Sequence, residues 1–276
     1  MSAEIINGKK IAQDIKDELK AKVESENLQK RIDVIIVGED PASQVYVRNK
    51  EKACEYIGIK SKTHIISSDI SEEELIKIIK GLNITPQSSG ILVQLPLPDH
   101  IREKEVLNSI ACDKDVDGFN PINVGNLSID EKGFVSCTPT GIIELLKRSN
   151  IKIDGKNCVI IGRSNIVGKP MAMLMLKENA TVTVCHSHTK NLKQITKTAD
   201  ILIVAIGQPK MITSDYVKEG AVVIDVGIHR MNNGKLCGDV DFESVSEIAS
   251  KITPVPDGVG PMTIAMLMKN VVEGYK

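Results

Sequence analysis

The chain has no tryptophan, three phenylalanines and four tyrosines in 276 residues. A core must therefore be assembled from Ile, Val, Leu, Ala and Met. The same shortage argues against an aromatic platform for stacking single-stranded bases. There is no excess of either charge: 35 basic against 36 acidic residues give a net charge of −1. No general attraction to nucleic acid or to an acidic lipid surface follows. No run approaches the roughly 18 apolar residues of a membrane span, and the opening MSAEIINGKK lacks an apolar signal core. Cysteines stand at 54, 112, 137, 158, 185 and 237, none in C-x-x-C and most inside apolar runs. This pattern predicts reduced, buried thiols in a cytoplasmic protein rather than a disulfide framework.

What is present is ordinary globular composition, 42 % apolar and 26 % charged, in a length that suits one large domain or two of usual size. Residues 8–24 carry Ile11, Ile15, Leu19 and Val23 at steps of four, a helix face. RIDVIIVGED reads as a buried strand and turn, and residues 41–57 as a helix with Pro41 in its first turn and Val45, Ala53 and Ile57 facing inward. KSKTHII is a strand. SEEELIKIIKGL is a helix capped by Ser71, with Glu74 completing a capping box. GILVQLPLP is a strand and IREKEVLNSI a short helix. Residues 111–137 lose this regularity and read as a crossover to a second domain.

Alternation then resumes. TPTGIIELLKRS is a helix, with Thr138 expected at its cap and Pro139 at its first position. Four βα-type units follow, through the strands NCVIIG, ATVTVC, ADILIVAIG and AVVIDVG, which predicts a parallel sheet with right-handed crossovers. A last helix opens at GPMT and is apolar almost all round, so it is expected to be buried. The fold class is α/β with two domains. The crossover splits the chain into a first α/β part and a second that carries the four βα units.

GRSNIVGKP (162–170) follows a strand and opens a helix, the place where helix N-terminal amides meet phosphate. Its spacing is neither G-x-G-x-x-G nor a P-loop. An NAD site would carry an acid after the next strand to hold the ribose hydroxyls; this chain has Cys185-His186-Ser187-His188. A ribose phosphate would instead meet the Ser187 hydroxyl and the Arg163 cation, which favours NADP. DKDVDGFNPINV imitates a calcium loop but has Val124 where a bidentate Glu is needed. The H-x-H pair at 186 and 188 lacks a third ligand, so no metal is expected. In SQVYVRNKEKA, Tyr46 and Lys50 lie four apart, on one helix face. Alone, such a pair is an ordinary feature of an amphipathic helix. Gln94, at the end of a buried-type strand, stands where open α/β sheets place ligands.

Taken together, PASQVYVRNKEKACEYIGI (41–59), GILVQLPLP (90–98), DKDVDGFNP (113–121), CTPTG (137–141), GRSNIVGKPMA (162–172), VIDVGI (223–228) and PVPDGVGPMT (254–263) resemble the bifunctional methylenetetrahydrofolate dehydrogenase/methenyltetrahydrofolate cyclohydrolase family. They fall in the family's order across nearly the whole chain. The resemblance implies an enzyme of one-carbon metabolism and purine biosynthesis. It would oxidise 5,10-methylenetetrahydrofolate with NADP and hydrolyse the methenyl product to 10-formyltetrahydrofolate, as a homodimer formed through the NADP domains. It implies a catalytic, folate-binding domain of residues 1–119 with 254–276, completed by the C-terminal helix, a Rossmann-like NADP-binding domain of residues 120–253, and a cleft between the two. It implies Lys50 as the catalytic lysine, Tyr46 lining the folate site, Gln94 contacting Lys50, and Asp117 binding the pterin. Thr138, Gly162, Arg163, Ser164, Ser187 and Ile228 would form the NADP site. Two positions depart from the pattern: Asp257 stands where Gly is usual, and His188 follows Ser187, where a titrating imidazole would make the grip on the 2′-phosphate pH-dependent. Two other readings are a monofunctional NAD-dependent dehydrogenase and a non-catalytic NADP-binding protein on the same fold. A short-chain dehydrogenase also uses Tyr-x-x-x-Lys, but after its glycine turn, whereas Tyr46 precedes Gly162.

Overall fold

The computed structural model describes residues 2–275. In chain order the elements are β1 (Glu4–Ile5), α1 (Gly8–Ser25), β2 (Arg31–Val37), α2 (Pro41–Ile57), β3 (Lys60–Ile66), α3 (Glu72–Asn83), β4 (Gly90–Val93), α4 (Glu103–Asn108) and α5 (Pro121–Ser128). The chain continues through α6 (Cys137–Arg148), β5 (Asn157–Ile161), α7 (Gly168–Lys177), β6 (Thr181–Cys185), α8 (Leu192–Thr196) and β7 (Ile201–Val204). It ends with β8 (Val222–Asp225), β9 (His229–Arg230), β10 (Leu236–Cys237), α9 (Phe242–Ser246), β11 (Lys251–Ile252) and α10 (Val259–Glu273). Two compact units result, Gln13–Cys137 with Ile264–Lys276, and Met1–Ala12 with Thr138–Thr263. The sequence pattern sets its joins at 119/120 and 253/254 instead.

In the unit built on residues 13–137, β3, β2 and β4 form a parallel sheet with β2 in the middle. β4 is buried along its length, and β2 is buried after Arg31. Such continuous apolar strands belong in a parallel sheet covered on both faces. β3, at the edge, keeps Lys60, Lys62 and Ile65 outward. α3 begins as its sequence predicts: the Ser71 side chain accepts from the Glu74 N–H and the Glu74 carboxylate returns to the Ser71 backbone. Leu75, Ile79 and Leu82 then bury one face of α3 against Ile35, Ile91 and Val93. Each such side chain contributes roughly 1.5–3 kcal/mol when taken from water.

The other unit holds a six-stranded, wholly parallel ladder in the order β1-β11-β8-β7-β5-β6. β5 lies between β6 and β7, so the chain leaves it in one direction and returns on the other side. Open α/β sheets bind ligands beyond the strand ends at such a switch point. The core is Ile, Val, Leu, Ala, Met and Cys as composition requires, with Phe134 the one aromatic buried among the described residues. Four of the six free cysteines are buried.

Several expectations are corrected. α5 occupies part of the stretch read as irregular, with Asn120 capping it by accepting from the Ile122 N–H at 2.9 Å and Pro121 opening it. α6 begins at Cys137, which puts Thr138 and Pro139 inside the first turn rather than at the cap. Val45 faces outward, 48 % exposed, because the buried stripe of α2 runs through Ser43, Val47, Cys54 and Ile57. β4 stops at Val93, one residue before Gln94. β1 and the β9-β10 hairpin have no counterpart in the sequence reading.

Candidate active site

α2 is fixed at both ends. Asp40 caps it by accepting from the Ser43 N–H at 2.7 Å, and Gly58 ends it in the left-handed conformation, φ 83°. Steps of four and three along its buried stripe, 43-47-50-54-57, put Lys50 on the inward side. Lys50 is half-buried. Burial holds its amine below lysine's ordinary pKa, against the pull of Asp117, Cys137 and Cys54. Tyr46, one turn earlier, is 48 % exposed.

Lys50 Nζ donates to Gln94 Oε1 at 2.9 Å. Gln94 is itself immobilised: its backbone N–H donates to the Ile35 carbonyl at 2.8 Å and its Nε2 to the Leu95 carbonyl at 2.7 Å. With Nε2 committed, only the acceptor end of the amide faces the lysine. Asp117 lies in a turn closed by the Gly118 N–H on the Asp115 carbonyl, 2.9 Å. Gly118 has φ +71°, and a Cβ there would crowd the backbone at Val135 and Ser136, so this turn requires glycine. Burial raises the Asp117 carboxyl, while the Lys50 charge and the Cys137 thiol oppose the rise. Cys137 Sγ lies 3.8 Å from Asp117 Oδ1 and 3.5 Å from the Val116 carbonyl. Burial, reinforced by Asp117, pushes that thiol well above its ordinary value, so it stays protonated.

Asn270, from α10, donates through Nδ2 to the Val116 carbonyl at 2.9 Å and the Val135 carbonyl at 3.2 Å. It pins both segments flanking Asp117. Asp115, from the apparent calcium loop, is buried with Oδ2 accepting from the Asn120 N–H at 2.7 Å and Asn123 Nδ2 at 2.9 Å. Burial lifts its carboxyl to about 7. It shapes the loop rather than offering oxygens to a ligand.

A second constellation sits beyond β5, β6 and β7. Gly162 has φ +126°, and a Cβ on it would overlap the Ala205 carbonyl. Gly168 likewise abuts the Gly162 carbonyl. The Ser164 hydroxyl caps the turn into α7, accepting from the N–H groups of Val167 at 3.1 Å and Gly168 at 3.4 Å. A cavity of about 250 Å³ opens here, lined among others by Gly162, Arg163, Ser187, Ile206 and Gln208. Arg163 and Ser187 thus border one space, and among the described residues no carboxylate lines it. His186 Nδ1 accepts from the His188 N–H at 3.2 Å, which leaves any proton of the neutral His186 ring on Nε2. His188 is exposed. Thr138 and Thr263 hydroxyls meet at 2.9 Å. Ile228, 44 % exposed, borders a smaller cavity of about 130 Å³ with Asp225 and the 254–261 loop. In that loop Asp257 takes φ +76°, which explains why glycine suits the position.

The family description "tetrahydrofolate dehydrogenase/cyclohydrolase, catalytic domain" matches residues 6–117, and its companion, "NAD(P)-binding domain", matches residues 136–276. The chain belongs to the tetrahydrofolate dehydrogenase/cyclohydrolase family. It is 62 % identical over 277 residues to the bifunctional protein FolD of Agathobacter rectalis, covering 99 % of each. It is 51 % identical to the bifunctional FolD dehydrogenase/cyclohydrolase from Campylobacter jejuni, over 99 % of this chain and 98 % of that one, with a TM-score of 0.96. The Trypanosoma brucei dehydrogenase-cyclohydrolase, solved with NADP cofactor and inhibitor, is 37 % identical over 98 % and 96 % of the two chains, TM-score 0.92.

Within this member of the tetrahydrofolate dehydrogenase/cyclohydrolase family, Lys50, Gln94 and Asp117 lie in one unit together with Cys137 and Asn270, which sequence reasoning did not assign. Asn270 had a signal: it is an amide set in a helix otherwise apolar nearly all round.

Proposed function

We propose that the chain oxidises 5,10-methylenetetrahydrofolate to the methenyl compound with NADP and hydrolyses that product to 10-formyltetrahydrofolate, with Lys50 as the base of the second step. The observation that carries this reading is an amine held toward its neutral form, 2.9 Å from an amide acceptor that cannot rotate away. A methenyl substrate is cationic. A second unit charge 4 Å from it costs about 4 kcal/mol at an effective dielectric near 20, so the substrate drives Lys50 further toward neutrality. The neutral amine keeps one N–H on Gln94 and presents its lone pair to the attacking water. Asp117, half-buried and held by its neighbours, offers paired acceptors to the amidine-like edge of a pterin. Tyr46, exposed one turn from Lys50, offers a ring face to the same ligand.

The dinucleotide, when bound, supplies the hydride acceptor for the first step. The residues fit NADP in particular. The glycine turn admits a close-approaching backbone, and the Arg163 guanidinium shares a cavity with the Ser187 hydroxyl and, among the described residues, no carboxylate. In this reading Gly162, Arg163, Ser164 and Ser187 hold the phosphates, while Thr138 and Ile228 border the remainder of the cofactor. Residues 1–119 with 254–276 hold the folate, and residues 120–253 hold NADP. A homodimer in the cytoplasm completes the proposal; six free thiols suit a reducing compartment. Among the described residues no helix is long and apolar enough to cross a membrane.

The test is turnover of methylenetetrahydrofolate with NADP and with NAD, followed by methenyl absorbance through to formyl product. Turnover is expected to be greater with NADP. Equal or better turnover with NAD would overturn the cofactor assignment, and methenyl product that builds up without enzymatic hydrolysis would overturn the second activity.

A further inference from the structure

Two buried carboxylates that the reading above leaves unused interlock behind the cofactor loops. Asp225 ends β8 and is 3 % exposed; Asp239 is 0 % exposed. Asp225 Oδ1 accepts from the Gly227 N–H at 3.0 Å and the Asp239 N–H at 2.9 Å, and its Oδ2 from the Val240 N–H at 2.9 Å. Asp239 in turn accepts from three consecutive amides. Ile206 at 2.7 Å and Gly207 at 3.1 Å donate to Oδ2, and Gln208 at 2.8 Å donates to Oδ1. His229 Nε2 makes a fourth contact with Oδ1, at 2.8 Å. Gly227 lies so close to the Asp239 carboxylate, and Gly238 to that of Asp225, that a Cβ at either would collide.

The loop held in this way follows β7 and contributes Ile206 and Gln208 to the cavity that Arg163 and Ser187 line. Successive N–H groups pointing at one point make a concave anion site. Here the chain's own carboxylate fills it, and the loop is fixed before any ligand arrives. We propose that Asp239 is a positioning residue for cofactor binding: it acts through the 206–208 amides, holding Ile206 and Gln208 in the geometry the dinucleotide needs. Asp225 sets the backbone of Asp239 itself, so the loops after β7 and β8 move as one. This inference rests on the cofactor assignment above.

Asp239→Asn keeps the size of the side chain but replaces one acceptor oxygen by a donor, so at least one loop N–H is orphaned. The Kd for NADP by titration calorimetry and the KM for NADP should both rise about tenfold, within the range for an unpaired buried donor. At saturating NADP, kcat should stay within about twofold, because the reacting groups are untouched. If Asp239→Asn does not fold, Asp239→Glu keeps both acceptors but displaces the loop, and is judged by the same split. Unchanged cofactor affinity in a folded variant overturns the proposal, as does a fall in kcat equal to the loss of affinity. Absence of methylene turnover in the wild type would defeat the proposed function alone; the calorimetric comparison would still decide the role of Asp239.

Discussion

Lys50→Met separates the two activities. The change keeps an unbranched stem of similar length, with sulfur in place of the δ-methylene, and removes the amine. In the folded protein it deletes one hydrogen bond, 2.9 Å to Gln94 Oε1, worth about 1 kcal/mol net. It also removes an amine that burial disfavours, which offsets much of that loss. The melting temperature should therefore stay within about 3 °C of wild type. The effect on hydrolysis is far larger, since a positioned general base is worth roughly 10²–10⁴-fold. Hydride transfer draws on alignment and needs no strong base, so it should fall less than about tenfold. The assay is decay of methenyl absorbance against the spontaneous rate, alongside NADP reduction with the methylene substrate. In the wild type the hydrolysis rate should climb with pH as Lys50 loses its proton, and level off below lysine's ordinary pKa. A Met variant that opens the methenyl ring at the wild-type rate refutes the reasoning, as does a flat wild-type pH profile.

Gly162→Ala places a methyl group on the Ala205 carbonyl at φ +126°; NADP affinity by calorimetry should drop more than about tenfold. Asp257→Gly relieves a positive φ of 76° at the cost of an exposed 4.0 Å pair with Lys9. Such pairs are weak, so stability should rise by about 1 kcal/mol, read as a denaturant midpoint. Asp115→Asn tests linkage. The folded carboxyl keeps its proton to about 7 whereas the ordinary value for the group is 3.8, so its contribution is full below the lower value and is lost as pH rises through the upper one. Between pH 5 and pH 8 the wild type should lose roughly 3 kcal/mol relative to the variant, measured by urea unfolding.

The helices and strands with strong periodicity were readable because each buries a face. Ser71 and Glu74 announced the start of α3, and the four βα units announced the parallel ladder. Val45 misled because the pattern placed it with Ala53 and Ile57, two residues off the stripe that Val47 and Cys54 define. α5 was hidden by its composition, although Asn120-Pro121 carried a cap and a first-turn proline. β1 is two residues long and owes its existence to a partner some 250 positions away, a distance at which local pattern is silent. The same reason hid Asp239, whose partners are mostly backbone amides that every residue carries; Asn270 stood out only as an amide in an apolar helix, and its carbonyl partners lie 154 and 135 positions away. Gln94 was marked by its strand end, but only the family's ordered motifs put Lys50, Gln94 and Asp117 together.

The division of the chain has a consequence for synthesis. The unit bearing the glycine turn takes residues 1–12 and 138–263, and the other takes 13–137 and 264–276. Residues 4–5 must wait, emerged from the ribosome and unpaired, until 251–252 appear to receive them. The lysine-bearing unit waits longer still for the stretch that carries Asn270. Expressing either half as a contiguous fragment would omit a staple donated from the far side of the sequence, so separately made halves should fold poorly even though each holds most of its own sheet.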